Sequence, residues 1–261
     1  QMNMHTWQER AQDDEKYSSV IDPRDKSGLK AAYMKTVHQK ALQVYTGGIR
    51  PGSKLLDFGC GSGRILEYEM LRPAAYYGVD IAPLMIQNAQ NKWRGRRQAN
   101  FYVDNGAGLP FAADTFDYVL STWVFQHIID DEKLGEKIAE LARLLKPGGL
   151  LIFIEQVRSG EAVEMSADGT AFKKYRTPEQ YEQLCSHAFT KINSRLLPGV
   201  GNGLFYRALN IFRKRFLAGL IPLLVITDRT IYDLFFGKSA ALRNFYIGRK
   251  WVDLICCCKK Q

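Results

Sequence analysis

The residues best suited to chemistry lie in a short glycine-rich segment. Gly59, Gly61 and Gly63 follow an apolar run that closes on Asp57 and Phe58. Glycine has no Cβ atom and permits positive φ, so such a loop lets a ligand approach the backbone closely. If a helix follows, its first N–H groups also face the ligand. The segment therefore predicts a loop that binds a nucleotide-like cofactor, although its G-x-G-x-G spacing differs from the G-x-G-x-x-G of dinucleotide sites.

Acidic residues close the next two apolar segments. Asp80 follows the loop at the distance where a doubly wound fold presents a carboxylate to the hydroxyls of a ribose. Asp104 closes a similar segment, and each acid could instead be an ordinary turn or N-cap residue. Three consecutive segments that end on Asp or Gly favour a shared cofactor site. Four more residues belong to the predicted site. Cys60, Ile81 and Asn105 adjoin these segments, and Ser121 ends the next apolar segment.

Two further segments carry a family resemblance. Residues 116–121 form an apolar, strand-like run, and residues 144–154 combine a helix end, a Lys-Pro-Gly-Gly turn and another apolar run. Together with the acid and glycines of the loop, they resemble the class I S-adenosylmethionine-dependent methyltransferases. The similarity covers about residues 50–196 and is greatest to small-molecule enzymes of the ubiquinone and menaquinone type.

The resemblance implies a cofactor and a role for each acid. The cofactor would be S-adenosylmethionine, with S-adenosylhomocysteine as the product that leaves. The loop after Asp57 would receive the amino-acid end of the cofactor, Asp80 its ribose and Asp104 the exocyclic amine of its adenine. The chain would be a methyltransferase, and a protein that binds the cofactor without catalysis is the alternative. An NAD-dependent oxidoreductase is disfavoured by the glycine spacing.

Methyl transfer to a hydroxyl or a protonated amine requires a base, and two residues are candidates. His127 follows the fourth predicted strand at the mouth of the cofactor cleft, and imidazole titrates near neutral pH. Glu155 ends the fifth predicted strand. A capping or packing role is the alternative for His127. No other histidine carries a functional signal, and no metal site is predicted.

Composition and periodicity indicate the architecture. The 261 residues are 46% hydrophobic, which suffices for one α/β domain with an insertion. Strands alternate with helices, which predicts a doubly wound, Rossmann-like sheet of seven strands with the last one antiparallel. The predicted strands are 54–58, 75–80, 98–103, 116–121, 149–155, a sixth near 190–195 and a seventh at 251–256.

The sequence also predicts two helices that flank the sheet. An apolar stripe along one helix predicts that it packs on the core, and its residues are Leu29, Tyr33, Val37, Ala41 and Val44. Thr177 and Pro178 form a predicted helix start. The predicted regions are an N-terminal helical segment 1–50, a cofactor-binding core 51–198, an inserted cap 199–250 and a final strand region 251–261.

The predicted cap has an unusual composition. Residues 199–250 contain nine Lys or Arg against two Asp, so they carry +7 of the formal net charge of +9, together with nine aromatic residues. We expect a helical cap that lines an apolar pocket with a basic rim, and this favours an amphipathic, small or lipid-linked acceptor methylated at oxygen rather than at nitrogen or carbon. A lid with a solvated basic face, an anionic substrate site and peripheral contact with an anionic membrane remain alternatives.

The sequence also supports expectations about other partners and about the cellular compartment. No nucleic-acid module is recognisable, so no nucleic-acid partner is expected. The first residues are polar and charged, so no signal peptide is predicted. Five cysteines without a C-x-x-C pair predict reduced thiols and a cytoplasmic location. Cys256, Cys257 and Cys258 should alternate between the faces of a strand. The sequence makes no prediction of the oligomeric state.

Overall fold

The fold is taken from a computed structural model of the chain. The structure describes residues 7–9, 11, 12, 28–47, 49–72, 74–95, 98–158, 160–167, 170–197, 221, 223 and 252–261. The predicted cap 199–250 therefore lies outside the described residues except for Ile221 and Leu223. No helix in the described part of the chain is both long enough and apolar enough to span a membrane.

Seven strands form one sheet. They are β1 (Lys54–Phe58), β2 (Ala75–Asp80), β3 (Ala99–Val103), β4 (Phe116–Thr122), β5 (Leu145–Val157), β8 (Phe189–Leu197) and β9 (Val252–Lys260). Their order in the sheet is β3-β2-β1-β4-β5-β9-β8. The first five are parallel, and β9 runs antiparallel between β5 and β8. This confirms the predicted fold class.

Helices cover both faces of the sheet. They are α1 (Leu29–Thr46), α2 (Pro83–Trp93), α3 (Asp131–Leu144) and α4 (Pro178–Cys185). One apolar cluster joins α1 and α2 to one face, and a second joins α3 and α4 to the other. Thr177 caps α4 in a reciprocal capping box with Gln180, which confirms the predicted helix start.

The three adjacent cysteines divide between these clusters. Cys257 belongs to the α1 side, whereas Cys256 and Cys258 belong to the α3 side. The predicted alternation is therefore confirmed, because successive residues of a strand point to opposite faces. All five cysteines of the chain are buried and free.

Two predictions about the elements are wrong in detail. Val44 is 63% exposed, because α1 buries the preceding stripe residues and presents Val44 to solvent. Strand β5 begins at Leu145 rather than at residue 149, because α3 ends at Leu144 and Leu145 already pairs with Phe116 of β4. The pairing is irregular over the Lys-Pro-Gly-Gly segment, where Gly148 has a φ of 75°.

An antiparallel hairpin lies outside the main sheet and was not predicted. Its strands are β6 (Val163–Ala167) and β7 (Thr170–Tyr175). Arg176 follows β7 and is fully buried. Its guanidinium donates to Asp131 Oδ1 and to the carbonyl oxygens of Phe125, Ile128 and Ile129. These bonds hold the end of the hairpin against the segment that follows β4.

Candidate active site

A cavity of about 550 Å³ opens at the carboxyl ends of the parallel strands. It lies beside β1, where the strand order changes direction, and such a switch point is the usual ligand site of an open α/β sheet. Eight residues of the predicted site line it, namely Asp57, Gly59, Cys60, Gly61, Asp80, Ile81, Asp104 and His127. The other four predicted residues are Gly63, Asn105, Ser121 and Glu155, and they are not among its lining residues.

The glycine loop has the backbone that the sequence predicted. Gly59, Gly61 and Gly63 have φ values of 76°, 53° and 79°. A Cβ atom at Gly59 would collide with the side chain of Val124, and one at Gly63 would lie 2.7 Å from the indole nitrogen of Trp93. A Cβ atom at Gly61 would meet no other atom within 4 Å. Gly59 and Gly63 therefore serve close packing, and Gly61 leaves open space beside the cleft.

Asp57 lies beneath this loop. Its carboxylate accepts a hydrogen bond from the hydroxyl of Tyr76, and it is almost fully buried. Burial raises the pKa of Asp57 to about 7, against the opposing effects of Tyr76 and of the nearby Arg64 guanidinium. Arg64 also lines the cleft, and it was not among the predicted site residues. Its position directly after the glycines was the signal that could have identified it.

Asp80 links the loop to the end of β2. Its Oδ2 accepts from the Gly61 N–H and its Oδ1 from the Ala82 N–H, both at 2.9 Å. Each carboxylate oxygen has two lone pairs, so both can accept further bonds from a ligand. Burial raises the pKa of Asp80, and the two N–H donors oppose that rise. The side chain thus fixes the loop and faces the cleft.

Asp104 occupies the same edge one strand further on. Its Oδ1 accepts from the Gly106 N–H at 2.9 Å, and Lys137 Nζ lies 3.5 Å from its Oδ2. Lys137 also pairs with Glu140 at 2.6 Å, and all three side chains line the cleft. Asn105 instead accepts from the Ala107 N–H in an exposed turn. Its side chain therefore stabilises that turn and does not line the cleft.

His127 lies on the other side of β1, in the short turn after β4. Its Nδ1 is 3.2 Å from the carbonyl oxygen of Phe172 in the β6–β7 hairpin. A carbonyl oxygen can only accept, so Nδ1 must carry the proton, and Nε2 holds the lone pair of the neutral ring. The indole of Trp7 packs edge-on against the imidazole, with 5.2 Å between ring centroids. The tautomer of His127 is thus one that could accept a proton within the cleft.

Glu155 does not have the position expected of a base. It is fully buried, and its Oε1 accepts from the N–H groups of Val124 and Phe125 at 2.8 Å. Its Oε2 accepts from the Gln126 N–H at 3.2 Å. The prediction that Glu155 acts as a base is therefore corrected, because its carboxylate lies under the turn that carries His127 and shapes that turn.

Ser121 also differs from its predicted place. Its side chain is 1% exposed and is not among the residues that line the cleft. The reason is its register in β4, where the next residue, Thr122, is the one that reaches the cleft.

The cleft fits S-adenosylmethionine. Gly61 leaves space for a ligand at the loop, Asp80 offers lone pairs to a pair of hydroxyls, and Asp104 can accept from an exocyclic amine. Arg64 is a cation at the loop that could pair with the carboxylate of the amino-acid end. The cavity lies within the 300 to 1,000 Å³ typical of cofactor sites.

Comparison with known proteins agrees with this fit. A family model described as a methyltransferase domain matches residues 56–153. Demethylmenaquinone methyltransferase of Tropheryma whipplei is 27% identical over 139 residues, which cover 53% of this chain and 56% of that protein. An uncharacterised methyltransferase of Bacillus subtilis is 32% identical over 127 residues, covering 48% and 49%. The chain spans about half the length of the curated relatives it matches.

A solved structure shows the same fold. It is a SAM-dependent methyltransferase of Methanosarcina mazei, with a TM-score of 0.57 and 17% identity over 83% of this chain and 96% of that one. The matched residues 56–153 contain the glycine loop, Asp80, Asp104 and His127, which together line the cleft. Residues 56–153 therefore resemble a methyltransferase domain, and these similarities support S-adenosylmethionine as the cofactor.

Proposed function

We propose that this protein transfers a methyl group from S-adenosylmethionine to a hydroxyl group of a small or lipid-linked acceptor. When bound, the cofactor supplies a methyl group that its sulfonium has already activated for in-line displacement. The chain then has to hold the acceptor oxygen close to that methyl group, and such positioning alone can supply about 7–11 kcal/mol. Few residues need to take part in the chemistry itself.

The contact between His127 Nδ1 and the Phe172 carbonyl is the observation that carries this proposal. A hydroxyl loses its proton as the new carbon–oxygen bond forms, so a base is needed at the acceptor. Because Nδ1 donates to that carbonyl, Nε2 is the nitrogen that would take up this proton. His127 also lies across β1 from Asp80 and Asp104, where an acceptor could approach without displacing the ribose or the adenine.

We further propose that residues 199–250 supply the surface that meets an amphipathic acceptor or an anionic membrane. Their basic and aromatic composition supports this, although they lie almost entirely outside the described residues. The chain leaves β8 at Leu197 and returns at Val252, and both residues lie at the edge of the sheet where the cleft opens.

Labelling with a host-cell extract tests the proposed reaction. The protein is incubated with methyl-labelled S-adenosylmethionine and the extract, and label is counted separately in lipid, small-molecule, glycan, protein and nucleic-acid fractions. We expect alkali-stable label, typical of an ether, in the lipid or small-molecule fraction. The Asp80→Ala variant at low cofactor concentration serves as the blank. Cofactor binding without label above this blank would contradict the proposal and favour a binding protein.

A further inference from the structure

Trp123 has a strained backbone at the edge of the cleft. Its φ of 60° lies in the left-handed region, which a bulky residue rarely adopts. Several bonds hold it there. Its N–H donates to the Ile154 carbonyl at 2.7 Å, and its own carbonyl accepts from Gln126 Nε2 at 3.2 Å. Strain that the surrounding structure enforces in this way is often found where a side chain must be presented to a ligand.

The indole ring of Trp123 is also held by contacts with Asp253 and His38. Its Nε1 donates to Asp253 Oδ1 at 3.0 Å. The other oxygen of Asp253 lies 3.0 Å from His38 Nε2, and the His38 ring packs edge-on against the indole at 5.0 Å between centroids. Burial lowers the pKa of His38, against the effect of Asp253. Nε2 is the donor, because an ionised carboxylate can only accept. Three side chains, from α1, from the turn after β4 and from β9, thus form one fixed unit.

Trp123 forms part of the wall opposite the ribose and adenine positions. Strand β4 lies on one side of β1, whereas β2 and β3, whose ends present Asp80 and Asp104, lie on the other. The cleft residues of β4 and of the turn after it are Thr122, Trp123, Val124, His127 and Ile128, and Trp7 packs against His127 there. Most of these side chains are aromatic or apolar, so this wall offers an apolar surface to an acceptor.

We propose that Trp123 shapes the methyl-acceptor side of the cleft and that Asp253 is the positioning residue that holds its indole. An apolar part of the acceptor then packs against the indole. This inference rests on the proposed function and adds a specificity-determining contact to it. Asp253 is the second residue of β9, so it also joins this wall to the point where the inserted segment returns to the sheet.

A double-mutant cycle tests the inference. The variants are Trp123→Phe, Asp253→Leu, their combination and the conservative Asp253→Asn. Initial rates are measured with saturating methyl-labelled S-adenosylmethionine and increasing amounts of the host-cell fraction that accepts label, which gives an apparent KM for the acceptor. If Asp253→Leu does not fold, Asp253→Ser replaces it, because the shorter side chain also breaks the contact. Cofactor affinity is measured for each variant by equilibrium dialysis.

The inference predicts a KM effect that is not additive. Each single variant should raise the apparent KM of the acceptor about tenfold, which is within the range for one lost contact in a pocket. The double variant should be no worse than the singles, because Asp253 acts through Trp123. Asp253→Asn should restore most of the acceptor affinity, since its amide oxygen can still accept from the indole. Cofactor affinity should be unchanged throughout.

Two other results have distinct meanings. Losses that multiply in the double variant, or a lower kcat with an unchanged KM, would overturn the role of Asp253 while leaving the proposed function intact. Failure of the unmodified protein to label any fraction, despite binding the cofactor, would overturn the proposed function and this inference with it.

Discussion

The two sides of the cleft are built in different ways. On the cofactor side, the backbone N–H groups that hold the two acids lie at most 19 residues away. They belong to Gly106 for Asp104 and to Ala82 and Gly61 for Asp80. On the acceptor side, His127 depends on Phe172, 45 residues away, and Trp123 on Asp253, 130 residues away. Asp253 in turn contacts His38, 215 residues away.

The two sides of the cleft therefore depend on different elements of the fold. The cofactor side needs the three adjacent strands β1, β2 and β3 and the loops at their carboxyl ends, which one continuous stretch of the chain encodes. The acceptor side needs α1, the hairpin and β9 to be assembled around the turn after β4. Substitutions on one side should therefore leave the function of the other side largely intact.

The largest expected effect comes from removing the base on the acceptor side. His127→Gln should lower the rate of methyl transfer by about 10²–10⁴-fold, the usual contribution of a positioned base. Affinity for S-adenosylmethionine should stay within about twofold, because His127 lies across β1 from the acids that would bind it. Initial rates with labelled cofactor and equilibrium dialysis measure the two quantities. Equal loss of both would show that the two sides are not separable.

A smaller effect is expected on the cofactor side. Asp80→Ala removes a carboxylate that accepts from the loop and could accept from the ribose, and it should weaken cofactor binding by roughly 1.5–3 kcal/mol. Asp80→Asn keeps one acceptor oxygen and should lose less. Calorimetric titration of both variants measures the difference. An unchanged affinity for Asp80→Ala would mean that Asp80 does not contact the ligand.

The two sides meet at Gly59, and a matched pair of alanine variants tests that contact. Gly59 and Gly61 both have positive φ, but only at Gly59 would a Cβ atom collide with Val124 of the acceptor-side turn. Gly59→Ala should therefore reduce the free energy of unfolding by about 1–3 kcal/mol more than Gly61→Ala. Urea denaturation gives both values, and equal losses would show that the loop and the turn do not pack tightly.

The smallest effect at neutral pH is expected at Glu155. Burial raises the pKa of Glu155 from 4.5 to about 7, although three N–H donors oppose that rise. Between these pH values the folded state binds more protons than the unfolded chain, so the free energy of unfolding should fall as pH rises from about 4.5 to 7. The same sign holds for Asp57, whose pKa is also raised to about 7.

Glu155→Gln isolates this contribution. The variant should show a shallower fall in unfolding free energy over that pH range, because one of the groups that takes up a proton on folding is gone. At pH 7 the lost hydrogen bonds and the relieved burial of charge offset each other, so the net change should be small. Denaturation at several pH values checks the slope. An unchanged slope would show that Glu155 does not titrate in this range.

The same contrast explains what could be predicted from the sequence. The glycine loop, Asp80 and Asp104 were recognisable because strand, turn and acid are adjacent in the chain. Glu155 was wrongly predicted to be a base, because the sequence at a strand end does not show whether a carboxylate faces the cleft or lies under a turn. The importance of His38 and Asp253 had no local signal, since only the assembled sheet brings them to Trp123.

The division of the cleft into two sides is tested by the methyl-transfer rates of Asp80→Ala and His127→Gln as the cofactor concentration is raised to saturation. We expect Asp80→Ala to regain most of the wild-type rate, because its defect lies in cofactor binding. His127→Gln should stay slow at every concentration, because its defect lies at the acceptor. Recovery of both variants, or of neither, would contradict a cleft with one side for the cofactor and another for the acceptor.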